Sequence, residues 1–481
     1  MKVQSGNKSR PRGAAVLVAA GIFLSRISGL VRDRVFAYYF GNSAAADAFR
    51  TAMRIPNFLQ NLFGEGVLSA SFIPVYAGLL AREEREEAGR VAGAVFAILA
   101  ALSSVLVLLG VVAAPVLIDV IALGFHGEKR ELTIRLVRIL FPGAGLLVMS
   151  AWCLGILNSH RRFFLSYSVP ILWNAAIVAG LISAGAGATQ ERLAVIAAWA
   201  SVAGSAVQFL AQLPVVIRLA PGLRIAFGLG IENVRIVIRN FVPVFISRGV
   251  VQLSAYIDSV LATLLPDGAV SGLAYAQTIY LLPVSLFGMA VSASELPEMS
   301  SATGSADQIA AHLRNRLHSG FRRIAFFVIP SAVAFLALGD VIAGAIYQGG
   351  AFKRADAVYV WAILAGSAVG LLASTGGRLY SSAFYALKDT RTPLWFAILR
   401  VASTTVLGYL CAIPLPAILG IESRWGVAGL TASAGVSGWI EFVLLRRALV
   451  RRIGSPPPST AYIARLWGAA AVAAACGTGL R

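Results

Sequence analysis

The stretch FLSRISGLVRDRVFAYYFG, from Phe23 to Gly41, starts as the second half of a membrane helix and then takes on Arg26, Arg32, Asp33 and Arg34. Its setting is apolar: of 481 residues, 58% are hydrophobic and 13% charged, with a mean hydropathy of +0.77. Soluble domains carry about 25% charged residues, so the chain reads as an integral membrane protein. An arginine at the bilayer centre costs roughly 2.5–3.5 kcal/mol on insertion scales. Charges held there must face protein or water. The opening stretch therefore implies an all-α membrane protein with a wet, basic interior.

Working outward, apolar segments long enough to cross a hydrocarbon core of about 30 Å recur along the chain. Thirteen are predicted, near 14–38, 44–80, 91–122, 132–157, 164–185, 192–219, 236–265, 269–300, 316–346, 356–386, 393–416, 426–450 and 461–480. Several exceed a straight span, which predicts tilted or broken helices. Alternating ten-residue strands are missing from the sequence, which argues against a β-barrel. Residues 1–24 outline a signal peptide but run into Ser25 and Arg26 without a cleavage site, so they are read as an uncleaved first helix.

The net charge of +19 does not point to nucleic acid, because its arginines lie mostly in short loops. Arg82, Arg85, Arg90, Arg161, Arg162, Lys388, Arg391, Arg451 and Arg452 fall on the side shared with the basic N-terminus. That bias predicts a cytoplasmic N-terminus. Cys153, Cys411 and Cys476 are far apart in apolar segments and read as small hydrophobes, with no disulfide or metal role. His126, His160, His312 and His318 have no zinc-motif context.

The two halves of the chain echo each other. SASFIP (69–74) and SASELP (292–297) each follow a Phe-Gly pair, at an offset of 223, and the same offset separates Pro170 from Pro393. DVIALGF (119–125) resembles DVIAGAI (340–346). Six spans fit within one offset, so the halves share an orientation. The expected architecture is two parallel-topology six-helix bundles around a central cleft, plus at least one C-terminal helix, about 13 transmembrane helices in all. Residues 1–220 form the first lobe, 221–235 a cytoplasmic amphipathic linker, 236–452 the second lobe, and 453–481 a Pro-rich linker with the extra helix. The linker reads equally as a surface amphipathic segment or as the start of the seventh helix.

Charges on the first two segments define the candidate site. Asp47, Arg50, Arg54, Asn61 and Glu65 recur on one helical face, and Arg26 and Asp33 share another. Arginines outnumber carboxylates there, with Arg26, Arg32, Arg34, Arg50 and Arg54 against Asp33, Asp47 and Glu65. The bland alternative is a set of intramembrane salt bridges, with Asp33 and Asp47 neutralising arginines and others snorkelling. The favoured reading is an anion-binding cavity, because guanidinium grips phosphate oxygens bidentately and stays charged. In the second half Arg248 is expected to face the cleft, and Arg400 divides evenly between cavity and helix-end packing.

SRISGLVRD (25–33), AADAF (45–49), RIPNFLQNLFGEGVLSASFIPVY (54–76) and YALKDTRTP (385–393) together resemble the MurJ (MviN) lipid II flippases of the multidrug/oligosaccharidyl-lipid/polysaccharide exporter superfamily. The resemblance implies a transporter, not an enzyme, that moves lipid II from the inner to the outer leaflet of the bacterial cytoplasmic membrane during peptidoglycan synthesis. It carries functional importance onto Arg26, Arg32, Asp33, Asp47 and Glu65, with Arg54 at a basic family position. Together with Arg50 and Arg248 these form the expected substrate-binding set.

There are departures from the family pattern. A family arginine of the eighth helix is replaced by Thr278, and a basic position of the second by Gln60 or Asn61. Arg248 is expected to supply the missing cation from the second lobe. Some members hold sodium with a carboxylate on the eleventh helix; none lies between Thr392 and Pro416, where Arg400 stands. The family's last two helices form a lipid-tail groove, of which this sequence holds one helix, so an incomplete groove or a truncated C-terminus is expected. No cofactor or metal is expected. The expected partners are lipid II and membrane lipids, with peptidoglycan synthases as candidates, for a monomer that binds no nucleic acid. The rivals are export of another lipid-linked saccharide and a polyprenyl-phosphate transferase, though no DDxxD-like magnesium set is present.

Overall fold

The computed structural model describes residues 10–63, 65–185, 187–455 and 460–479. Among them the only β pairing is an isolated bridge between Gly349 and Phe352, and nearly everything else is helix. In chain order the helices are α1 (Arg10–Phe40), α2 (Ala44–Phe63), α3 (Glu65–Ser71), α4 (Ile73–Ala81), α5 (Arg85–Val112), α6 (Ala114–Ile121), α7 (Gly127–Ser159), α8 (Phe163–Ser168), α9 (Pro170–Ala184) and α10 (Gln190–Leu219). There follow α11 (Glu232–Thr263), α12 (Ala269–Pro283), α13 (Ala290–Ser300), α14 (Ala306–Tyr347), α15 (Arg354–Ala368), α16 (Leu371–Ala386), α17 (Arg391–Ala412), α18 (Pro414–Leu419), α19 (Gly426–Ile453) and α20 (Thr460–Gly479).

Each of the thirteen expected segments coincides with one of these helices or with a consecutive broken set. By length and apolarity, nine helical runs among the described residues suffice to cross a membrane, or ten if the bent pair α15–α16 counts as one span.

The breaks have local causes. Proline opens α9 and α18 and occupies the first turn of α4 and α6, where its missing N–H costs nothing. A π-helical turn, Val284–Met289, joins α12 to α13. Between α15 and α16 the axis bends by 42°. There a Cβ on Gly370 would stand 2.3 Å from the Gly435 Cα, so two backbones meet without side chains. The indole of Trp439 donates to the Val369 carbonyl at 2.7 Å, satisfying a group at the bend.

The sequence repeat has a structural counterpart at two helix ends. After α7, Arg161 lies at φ 59° and Arg162 N–H donates to Leu157 O at 2.8 Å; after α16, Lys388 lies at φ 60° and Asp389 N–H donates to Phe384 O at 2.9 Å. Both are left-handed C-terminal caps built on a charged residue where glycine is usual.

By backbone proximity the chain divides into two units. One comprises the residues up to Phe40 with Ala44–Tyr256; the other comprises Gly41–Ser43 with the residues from Ile257 on. The core of the first surrounds Trp152, Phe72, Tyr76, Leu68 and Leu79, and the Trp152 indole donates to Ala92 O at 3.1 Å. In the second, Tyr275, Tyr347 and Phe352 form one aromatic cluster and Phe321, Tyr380 and Phe442 another.

The expected linker resolves into two parts. Residues 221–231 are irregular, with turns at 221–222 and 229–230, and Glu232–Arg235 open α11. The turn segment lies on α5, where a Cβ on Gly89 or Gly93 would come within 2.1 Å of the carbonyl oxygens of Pro221 and Arg224. The first unit then continues through α11 as far as Tyr256, with Phe241 and Phe245 packed on Phe63 at ring distances of 5.9 and 5.0 Å.

Candidate functional site

The site is built from the second half of α1 and the first half of α2. Asp33 is 4% exposed and gathers two guanidinium groups on one oxygen. Arg32 Nη2 donates to Oδ1 at 2.9 Å, and Arg50 Nη2 at 3.2 Å. The arginine side chains keep 21% and 17% of their surface exposed, against 6% for their carboxylate.

Further groups hold the two arginines in place. Arg32 Nη1 donates to Asn174 Oδ1 at 3.0 Å, and Asn174 Nδ2 donates to Ser28 Oγ at 2.8 Å. Arg32 also lies over the Trp173 ring at 5.0 Å, and that indole is anchored to Ser201. Arg50 lies over Phe36 at 4.6 Å. Stacking and hydrogen bonding fix a guanidinium plane while leaving its charge in place.

One turn before Arg50, Asp47 is fully buried, and Lys129 of α7 reaches it at 2.9 Å. Lys129 in turn lies 4.0 Å from the Phe125 ring. Arg32 and Arg50 meet at Asp33, and Lys129 meets Asp47.

The other expected residues fall as follows. Arg54 is half-buried one turn beyond Arg50, and its carbonyl accepts from Tyr256 Oη at 3.3 Å. Arg26 is exposed, while Asp33, seven residues on, is buried and held by Arg32 and Arg50. Arg34 and Asn61 are exposed. The side chains of Glu65 and Arg248 lie outside the described residues. The backbone at Arg248 groups with the first unit. Thr278 turns its hydroxyl onto Ala274 O of its own helix, at 3.1 Å. Arg400 pairs with Glu441 at 3.0 Å, tying α17 to α19.

Sequence reasoning missed Lys129, Asn174 and Trp173. Lys129 and Asn174 lie 82 and 142 residues from their partners. The available signal was a polar residue alone in an apolar run, which fits Asn174 within PILWNAAIVAG.

Comparison with known proteins places this geometry in a family. Residues 36–481 match the family model described as "Lipid II flippase MurJ". A lipid II flippase MurJ of Burkholderia cenocepacia is 31% identical over 96% of this chain and 88% of its own length. A probable lipid II flippase MurJ of Rhizobium meliloti is 31% identical over 94% and 83%. Among solved structures, a lipid II flippase MurJ in an inward closed conformation aligns with a TM-score of 0.74 at 25% identity, over 90% of this chain and 87% of that one. An inward-facing multidrug-resistance transporter of the MOP superfamily aligns with a TM-score of 0.69 at 16% identity, over 91% and 98%, a likeness of fold alone. The chain is thus a multi-pass membrane transporter, and it belongs to the lipid II flippase MurJ family.

Proposed function

We propose that this protein moves lipid II from the inner to the outer leaflet of the bacterial cytoplasmic membrane by alternating access, as a monomer whose N-terminus is cytoplasmic. The headgroup is what needs help, since pyrophosphate, sugars and peptide cannot enter hydrocarbon while a polyprenyl tail stays in it. The observation that carries this reading is the pair Arg32 and Arg50, two guanidinium groups held side by side on one oxygen of the buried Asp33. In this reading Arg32, Arg50 and Arg54 bind the pyrophosphate, with Arg26 and Arg248 extending the path. Asp33, Asp47 and Glu65 position the cations. Binding drives the cycle only by favouring one state over the other.

Direction follows from the membrane potential. Each charge is worth about 2.3 kcal/mol per 100 mV, so a pyrophosphate of charge −2 leaving a negative interior gains up to about 4.6 kcal/mol. The test is rescue of a flippase-depleted strain, with the leaflet distribution of lipid II as readout. Arg32→Ala and Arg50→Ala, inserted at normal levels, are expected to leave lipid II on the inner leaflet. Full flipping by both would overturn the reading, and flipping at full rate after dissipation of the potential would remove the driving force proposed here.

A further inference from the structure

We propose that the first unit carries, on its outer face, a binding site for an anionic glycerophospholipid, remote in sequence from the charges of α1 and α2. Two adjoining depressions build it. The upper one, a cavity of about 580 Å³, is lined by Arg130, Glu131, Arg135 and Arg138 of α7, with Pro142 and the ring of Trp199 from α10. The lower one, about 500 Å³, is an open groove between α5 and α7 that runs from Ala100 to Val111 and shares Pro142 with the first.

Charge in the upper cavity favours an anion. Arg130 is neutralised by Asp119 through two bonds of 2.7 and 2.9 Å. Arg135 and Arg138 are exposed and form no ion pair with a described carboxylate, so with Glu131 the cavity keeps a positive balance. Arg138 Nε donates to Val111 O at 3.4 Å, a carbonyl of the last turn of α5, and its exposed side chain lines the cavity. Two guanidinium groups three residues apart on one helix face suit the oxygens of a single phosphodiester.

The depth fits as well. From Ile139 to Leu157, α7 is uncharged, a length of about 28 Å that matches a hydrocarbon core of about 30 Å. Arg130, Arg135 and Arg138 therefore stand at headgroup level, where an interfacial tryptophan such as Trp199 is also at home. The groove below is apolar apart from Ser103 and Ser104, and it stays open because Gly145 has no side chain; a Cβ there would already stand 3.3 Å from Val107 Cγ2. Its rim residues Leu108 and Val112 are 65% and 69% exposed. Ala100 to Val111 covers about 16 Å along the helix, half the core thickness, which is the reach of an acyl chain from one leaflet. That length commits the site to a glycerophospholipid over a polyprenyl phosphate. Assignment to the outer leaflet rests on the orientation proposed above, whereas lipid binding itself does not.

Native mass spectrometry of the full chain, titrated with phosphatidylglycerol, phosphatidylethanolamine and undecaprenyl phosphate, tests the site. Phosphatidylglycerol is expected to bind in preference to phosphatidylethanolamine. Arg135→Gln/Arg138→Gln should weaken it at least five-fold, and Arg135→Lys/Arg138→Lys should retain it. Gly145→Leu, which changes no charge and fills the groove, should also weaken it, and decides the matter if the double glutamine variant fails to fold. Equal binding of the two phospholipids, no effect of either weakening change, or displacement of phosphatidylglycerol by equimolar undecaprenyl phosphate would overturn the proposal.

Discussion

Removing the shared carboxylate is the sharpest perturbation of the α1–α2 cluster. Arg32 and Arg50 reach the same oxygen of Asp33 at 2.9 and 3.2 Å, so two like charges are held close by one anion. At an effective dielectric of about 20, each attraction is about 5 kcal/mol, much of it offset by desolvation of the three groups. The net coupling between Arg50 and Asp33 should be about 1–2 kcal/mol, smaller than for an isolated pair because the arginines also repel. A double-mutant cycle measures it: wild type, Asp33→Asn, Arg50→Gln and the double variant, each melted in the same detergent. Asp33→Asn alone should cost about 2–3 kcal/mol, since it leaves two cations facing each other, and the double variant should recover part of that loss. Arg50→Gln should cost less, because Arg32 still neutralises the carboxylate. A coupling indistinguishable from zero would show that Asp33 does not hold the pair together, and the argument for a positioned pyrophosphate site would fail with it.

Other outcomes follow from single contacts. Lys129→Ala should lower the melting temperature more than most substitutions in α7, by the equivalent of about 3 kcal/mol, because the fully buried Asp47 then loses the ammonium that reaches it at 2.9 Å; Asp47→Asn in that background should restore part of it. Lys388→Gly should raise stability by up to about 0.5 kcal/mol, since φ 60° is costly for a side chain and free for glycine, the gain being limited by unfolded-state entropy; an unchanged or lower melting temperature would refute it. Asp389, in the loop before α17, has its pKa lowered to about 2 by the Thr392 hydroxyl, the Thr392 backbone N–H and Arg452. Its folded pKa lies below its unfolded value near 3.9, so its contribution is complete at neutral pH and is lost as pH falls from about 4 towards 2. The gap in melting temperature between wild type and Asp389→Asn should therefore narrow as pH is lowered from 5 to 3; a constant gap would count against it.

Composition and periodicity alone determined that this is an all-helical, multi-pass membrane protein, because every twenty-residue apolar run has only one way to satisfy its backbone in lipid. Local sequence also marked the prolines and glycines where helices break, and Arg32, Asp33, Asp47 and Arg50 as residues needing partners. Only the tertiary structure decided who those partners are. Asp33 joins arginines from two helices, Asp47 takes Lys129 from a third, and Arg32 is steadied by Trp173 and Asn174. Arg26 and Asp33 share a helical face, yet Arg32 and Arg50 are the arginines that meet at Asp33 Oδ1. The physical reason is one of range: helix periodicity assigns a side chain to a face, whereas an ion pair is made across about 3 Å by whichever helix packing brings there, and that packing couples residues more than a hundred positions apart.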